Sequence, residues 1–208
     1  MNPHPGVTTA KGNGVLKGIS GAKRAKLYLE GTMRICGAFA NTDSDAWARK
    51  LTLAWPEGGQ TFSFDLGGSM RGAPYHGDQF CAEVKHYQGP ADQGTHFVEF
   101  LAKCYVAHQE KYLFGDHYMW ITWAPFNVNS WSQLHEPQRI ESAVVQHRQR
   151  IFGDVSEDEA RKRIDANAVQ SVSERVWRIV LSEKQEGLLP LTEWRAILAH
   201  ELTLKGEW

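Results

Sequence analysis

Two acidic residues and a lysine in the stretch FDLGGSMRGAPYHGDQFCAEVKHY, residues 64–87, have the types and the spacing to do chemistry. Glu83 and Lys85 are two apart in a run of strand character, so their side chains emerge on one face. Asp65 closes the preceding run, QTFSFDL, and a hairpin-like return brings it beside Glu83. Two neighbouring carboxylates repel, and a divalent cation between them removes that cost. Hard Mg²⁺ takes such oxygen ligands and keeps several of its waters. Metal-bound water is more acidic, and an ammonium beside it can orient it or stabilise charge developing on a phosphorane. These parts suffice for metal-assisted hydrolysis of a phosphodiester. The same triplet on a solvated strand face would do nothing. Asp78, in the loop YHGDQF, rivals Asp65, but a Gly-Asp turn accounts for it, and a strand end holds a ligand more firmly.

The elements around these residues follow from periodicity. Ser20 opens a helix whose stripe runs through Leu29, Met33, Cys36 and Ala40. Alternation predicts strands at 51–55 and 60–66, joined by the turn PEGG, and a third at 79–87 after a glycine-rich loop. In that third strand Phe80, Ala82 and Val84 share one face, and Cys81, Glu83, Lys85 and Tyr87 the other. Framing by Phe80 and Val84 marks it as a central strand. Phe97, Phe100, Leu101, Cys104 and Tyr105 form one apolar helical stripe. HYMWITW, 117–123, reads as a buried strand with Trp120 and Trp123 on opposite faces. From Ser130 the pattern is helical: Ile140, Val144 and Ile151 suit one helix, Ser156–Glu159 is a capping box, Val169 to Val180 form a further stripe, and Thr192 introduces a last helix with Trp194, Ile197 and Leu198.

Asp65, seventeen residues, then Glu83-Val84-Lys85, within the order α-β-β-β-α-β, resembles the PD-(D/E)XK nuclease superfamily and its restriction-endonuclease-like fold. The resemblance covers roughly residues 20–126. It implies Asp65 and Glu83 as ligands of Mg²⁺, for which Mn²⁺ would substitute, and Lys85 as the catalytic lysine. An acidic residue of the first helix, here Glu30, is a further ligand in many relatives. The implied substrate is nucleic acid, DNA before RNA, in defence against foreign DNA or processing of mobile elements. A homodimer, or a partner subunit that supplies target recognition, is also implied. Phe64 stands where the family name expects a proline.

The expected organisation is therefore an α/β protein: a basic arm at 1–19, a nuclease-like core at 20–126 and a C-terminal helical extension at 127–208 packed on it. The alternative is a module of the same fold that binds nucleic acid or a partner without cutting. A structural adaptor working through its C-terminal helices is a third reading. Lys23, Arg24 and Lys26, in a segment with no acid before Glu30, are candidate phosphate contacts, as is Arg71 in the glycine loop. Gln93 is a candidate to cap its helix or face the site, and Glu99 is expected in solvent. With a net charge of −1, the chain as a whole does not attract nucleic acid electrostatically. Cys36, Cys81 and Cys104 form no CxxC pair and read as buried free thiols, which suits a cytoplasmic location. His117, Asn127 and His135 lack the spacing of a zinc or HNH site, and no GxSxG elbow is present. No run has the length of a membrane span.

Overall fold

A computed structural model describes residues 20–86, 92–190 and 192–205. The architecture is α/β, with a five-stranded mixed sheet and helices on both faces. The predicted arm, with Tyr87, lies outside the described residues.

Helix α1 (Gly21–Gly31) is capped by the Ser20 hydroxyl, which accepts from the Lys23 N–H. Its stripe does not continue to Ala40. The helix ends at Gly31, Met33 adopts a positive φ of 63°, and the chain enters strand β1 (Ile35–Ala40). Spacing alone favoured a helix here because Met33, Cys36 and Ala40 fit a 3.6-residue period. The observed strand carries a register irregularity between Cys36 and Phe39, around Gly37 at φ 63°, which blurs its two-residue period. Cys36 is consequently half-buried, whereas Cys81 and Cys104 are buried free thiols.

Short helix α2 (Asp45–Lys50) leads to β2 (Thr52–Ala54) and β3 (Thr61–Ser63), which pair only with each other. The two runs expected beside the third strand are thus a separate hairpin. The strand that replaces them is β4 (Leu66–Met70), drawn from what looked like a glycine-rich loop. Its glycines permit close packing: a Cβ on Gly68 would lie 2.8 Å from the Phe80 ring and 3.0 Å from the Ala38 backbone. Gly68→Ala is expected to lower stability by about 1–3 kcal/mol, read as a lower urea midpoint.

Strand β5 (Gln79–Lys85) pairs antiparallel with β4 and parallel with β6 (His117–Thr122). Between them runs α3 (Gln93–Gln109). After a 3₁₀ segment (Val128–Gln133) come α4 (Pro137–Gln146), α5 (Arg148–Phe152), α6 (Glu157–Arg163) and α7 (Ala166–Arg175). The single helix expected through Ile140 and Ile151 is therefore two. The valine stripe also divides: Val169 and Val172 lie on α7, while β7 (Val176–Val180) extends the sheet beside β6. Val176, Ile179 and Val180 are β-branched, and an available sheet edge decides their conformation. Helices α8 (Glu183–Glu186) and α9 (Thr192–Leu204) complete the order.

The sheet runs β1-β4-β5-β6-β7, with β5 in the centre. One face packs Cys81, Tyr118 and Trp120 against Phe97, Phe100 and Cys104 of α3. The other packs Phe80, Ala82, Met119 and Ile121 against Ala25 and Leu29 of α1. Trp123 joins that second face, opposite Trp120. No helix among the described residues is long and apolar enough to cross a membrane.

Candidate active site

Alternation on β5 sends Cys81, Glu83 and Lys85 toward α3. Asp65 stands between β3 and β4, and its backbone is held on both sides. Its N–H donates to the Ala82 carbonyl (2.8 Å), and its own carbonyl accepts from the Asn41 N–H (3.0 Å). The side chain bends toward β5, where Oδ2 accepts the Val84 N–H at 2.8 Å. The ladder that fixes the strands therefore also fixes the carboxylate.

Glu83 is 7% exposed. Its Oε1 lies 2.8 Å from the Lys85 Nζ, and its Oε2 lies 3.5 Å from the Nζ of Lys103 on α3. Oε2 is buried and has no hydrogen-bond partner. A buried carboxylate oxygen without a donor is costly unless a positive charge meets it. Asp65 records the proximity of Glu83: burial first, then the Glu83 charge, raise its pKa from 3.8 to about 6, against the Val84 N–H and the two lysines.

Sign and window follow from that shift. The folded chain holds the Asp65 proton more tightly than the unfolded chain does, so this group's contribution to stability falls as pH rises from 3.8 to about 6. Asp65→Asn is therefore expected to stabilise the metal-free protein by about 1–3 kcal/mol at pH 8 and hardly at all at pH 3.5. Urea unfolding at the two pH values in EDTA measures it; an equal gain at both would assign the effect to packing.

Lys103 had no place in the sequence argument. It is the one charged residue in the otherwise apolar run from Phe100 to Ala107, a legible signal that something on the facing strand is charged. Glu99, one turn earlier, pairs with Arg150 at 3.0 Å on the rim. Gln93 is fully buried; its Oε1 accepts from the Thr122 hydroxyl, and its Nε2 donates to the Ala124 carbonyl. It braces the end of β6.

Other candidates lie apart. Asp78 is before the start of β5, the opposite end from Glu83, where its Oδ2 meets His117 Nε2 at 3.0 Å. Trp177 Nε1–H donates to His117 Nδ1, so that histidine is engaged on both nitrogens. Glu30 sits at the end of α1 and is not among the charges that act on Asp65. Arg71 follows β4, whose strand direction carries it away from Asp65. Arg24 is corrected outright as an open phosphate contact. It is 4% exposed and forks onto Glu186 of α8, with Nε–Oε2 at 3.0 Å and Nη2–Oε1 at 2.6 Å. Its Nη1 donates to His86 Nε2, and the Trp123 indole N–H donates to Glu186 as well. Lys26 is paired with Asp43 at 2.8 Å, leaving Lys23 exposed on the first turn.

No protein-family model matches this chain, and neither curated proteins nor solved structures match it significantly.

The donor set suits one hard cation. Among the described residues no group of three or more His, Cys, Asp or Glu side chains converges. Two neighbouring carboxylates, with Asp65's ionisation opposed by Glu83 and one Glu83 oxygen lacking a hydrogen-bond donor and met only by Lys103 at 3.5 Å, would suit Mg²⁺ or Mn²⁺, which complete their shells with water and substrate oxygens.

Proposed function

We propose that this protein is a metal-dependent nuclease of the PD-(D/E)XK type that hydrolyses phosphodiester bonds in DNA. The observation that carries the reading is the buried Glu83 oxygen without a donor, set beside an Asp65 whose ionisation Glu83 opposes. The order α1-β1-β4-β5-α3-β6, with β6 parallel to β5 and the earlier strands antiparallel, supports a restriction-endonuclease-like core. In this reading α2 and the β2–β3 hairpin are insertions, and the helices after β6 with β7 are additions.

Asp65 and Glu83 would hold the cation, which would supply an acidified water and a counter-charge for the phosphate oxygens. Lys85, held by Glu83, would orient that water by donating to it. Lys103, 3.5 Å from Oε2, would hold that oxygen in place until a cation displaces it. The Val84 N–H would lock one oxygen of Asp65 and leave the other to the metal.

A second reading, binding without cleavage, draws on one observation: Lys85 and Lys103 already balance Glu83 without a cation. The two readings separate in one experiment. Plasmid and single-stranded DNA are incubated with the protein in Mn²⁺ or in EDTA. Cutting only in Mn²⁺ supports the nuclease; DNA binding of equal strength in EDTA, with no cutting in either, supports the module. Location in the cytoplasm and a recognition subunit belong to the same proposal.

A further inference from the structure

At the other end of the sheet, a cavity of about 220 Å³ opens between the end of α3, the start of β6 and the end of α7. Tyr118, in its wall, pairs with Cys81 and Val176, whereas Glu83 pairs with Trp120 further along the same strands. The cavity and the candidate active site therefore do not share residues. Its polar lining is His108, Lys111, Tyr112, Asp116, Tyr118 and Arg175.

Tyr118 is fully buried, yet its hydroxyl has no hydrogen-bond partner. Gly115 lies in front of it, and a Cβ there would stand 2.9 Å from the hydroxyl oxygen. Only a residue without a Cβ lets the phenol pack this close. Burial holds the phenol far above its ordinary pKa, so the hydroxyl is a neutral donor. Arg175 makes two long contacts through one nitrogen, 3.4 Å to the Gly115 carbonyl and 3.5 Å to His108 Nδ1. A guanidinium carries five N–H groups, and these contacts use few of them. His108 accepts at Nδ1, which leaves its Nε2–H as a donor.

The opposing charges are accounted for. Asp116 also lines the cavity, but its Oδ2 accepts the Gln79 N–H at 2.9 Å. The carbonyls of Ala107 and His108, at the end of α3, accept from the N–H groups of Tyr112 and Lys111. Two cations and two neutral donors thus face one carboxylate.

We propose that this cavity binds a phosphate-type oxyanion, held by Arg175 and Lys111 and accepting from the Tyr118 hydroxyl and His108. Donors that come from a helix end, a strand and a second helix suit a tetrahedral anion better than a planar carboxylate. The phosphate is either free or the terminal phosphate of a nucleotide chain.

The test is calorimetric titration of the full chain with inorganic phosphate in EDTA at constant ionic strength. Saturable binding is expected in the wild type and in Glu83→Gln, weakened about tenfold in Tyr118→Phe and lost in Arg175→Met. Tyr118→Phe keeps the buried volume and removes the orphaned hydroxyl, so it tests the contact without endangering the fold. No saturable binding by the wild type would overturn the proposal and leave the cavity to water. Binding unchanged in both Tyr118→Phe and Arg175→Met, or lost in Glu83→Gln, would overturn it too. Competition separates the sources: displacement by a 5′-phosphorylated dinucleotide and not by its hydroxyl-ended form assigns a chain terminus, and displacement by neither assigns free phosphate.

Discussion

In the proposed nuclease, Glu83→Gln is expected to reduce Mn²⁺-dependent DNA cleavage by at least about 10²-fold while the protein stays folded. The substitution conserves volume and one acceptor oxygen. It removes the negative charge that both Lys85 and Lys103 meet and that an incoming cation would need. Lys85→Ala should lower the rate comparably, because in the proposed reaction the ammonium 2.8 Å from Glu83 would donate to the metal-bound water. Lys103→Met separates the cation from the chemistry. Its ammonium, 3.5 Å from Oε2, competes with a metal for the same oxygen, so removing it should tighten Mn²⁺ binding several-fold. Cleavage rates and Mn²⁺ calorimetry on the three variants check this set. Wild-type rates in Glu83→Gln would sink the site; unchanged Mn²⁺ affinity in Lys103→Met would mean that the metal binds elsewhere.

Glu186→Ala should destabilise the fold by about 3–5 kcal/mol. Glu186 is the two-pronged partner of Arg24, and the Arg24 side chain is only 4% exposed. Deleting the carboxylate leaves a guanidinium in a low-dielectric pocket with a histidine and an indole for company. The Trp123 indole N–H loses its acceptor as well. A paired replacement, Arg24→Met with Glu186→Leu, removes both charges and should recover most of the loss, since buried ion pairs often contribute little over apolar contacts. Urea unfolding of both proteins decides the matter. A loss below 1 kcal/mol in Glu186→Ala would mean that Arg24 reaches water once α8 is loosened. The cluster also ties α8 to α1 and to His86, the residue after Lys85, so the C-terminal segment helps to position the end of β5.

Glu83 and Lys85 were legible because they lie within one strand, where a two-residue spacing dictates a shared face. Asp65 was legible as a neighbour of that strand for a partly different reason than the observed one. It does not end the strand before a loop; it enters the strand that pairs with β5, and the loop begins only after Met70. Gly67 and Gly68 hid this, since glycine suggests a turn when packing on both faces is invisible. Lys103 was missed although a lone lysine in an apolar helical run signals a charge opposite it; which charge that is depends on the facing strand, which the run does not name. Arg24 was misjudged because a basic residue on an N-terminal helix reads as exposed, and its partner is 162 residues away.

By itself the sequence determined the local and periodic features: strand β5 and its two faces, helix α3, the buried β6, the cap of α1 and the α/β class with helices toward the C-terminus. These depend on propensity and on side-chain alternation, which act over a few residues. Tertiary structure alone decided which strands share the sheet. It made 35–40 a strand because β4 offers it a ladder, excluded β2 and β3, and drew 176–180 to the edge beside β6. It also decided the electrostatics, in the burial that raises the Asp65 pKa and the placement of Lys103 over Glu83. Both rest on free energies of desolvation and pairing between segments distant in the chain, and no local pattern encodes them.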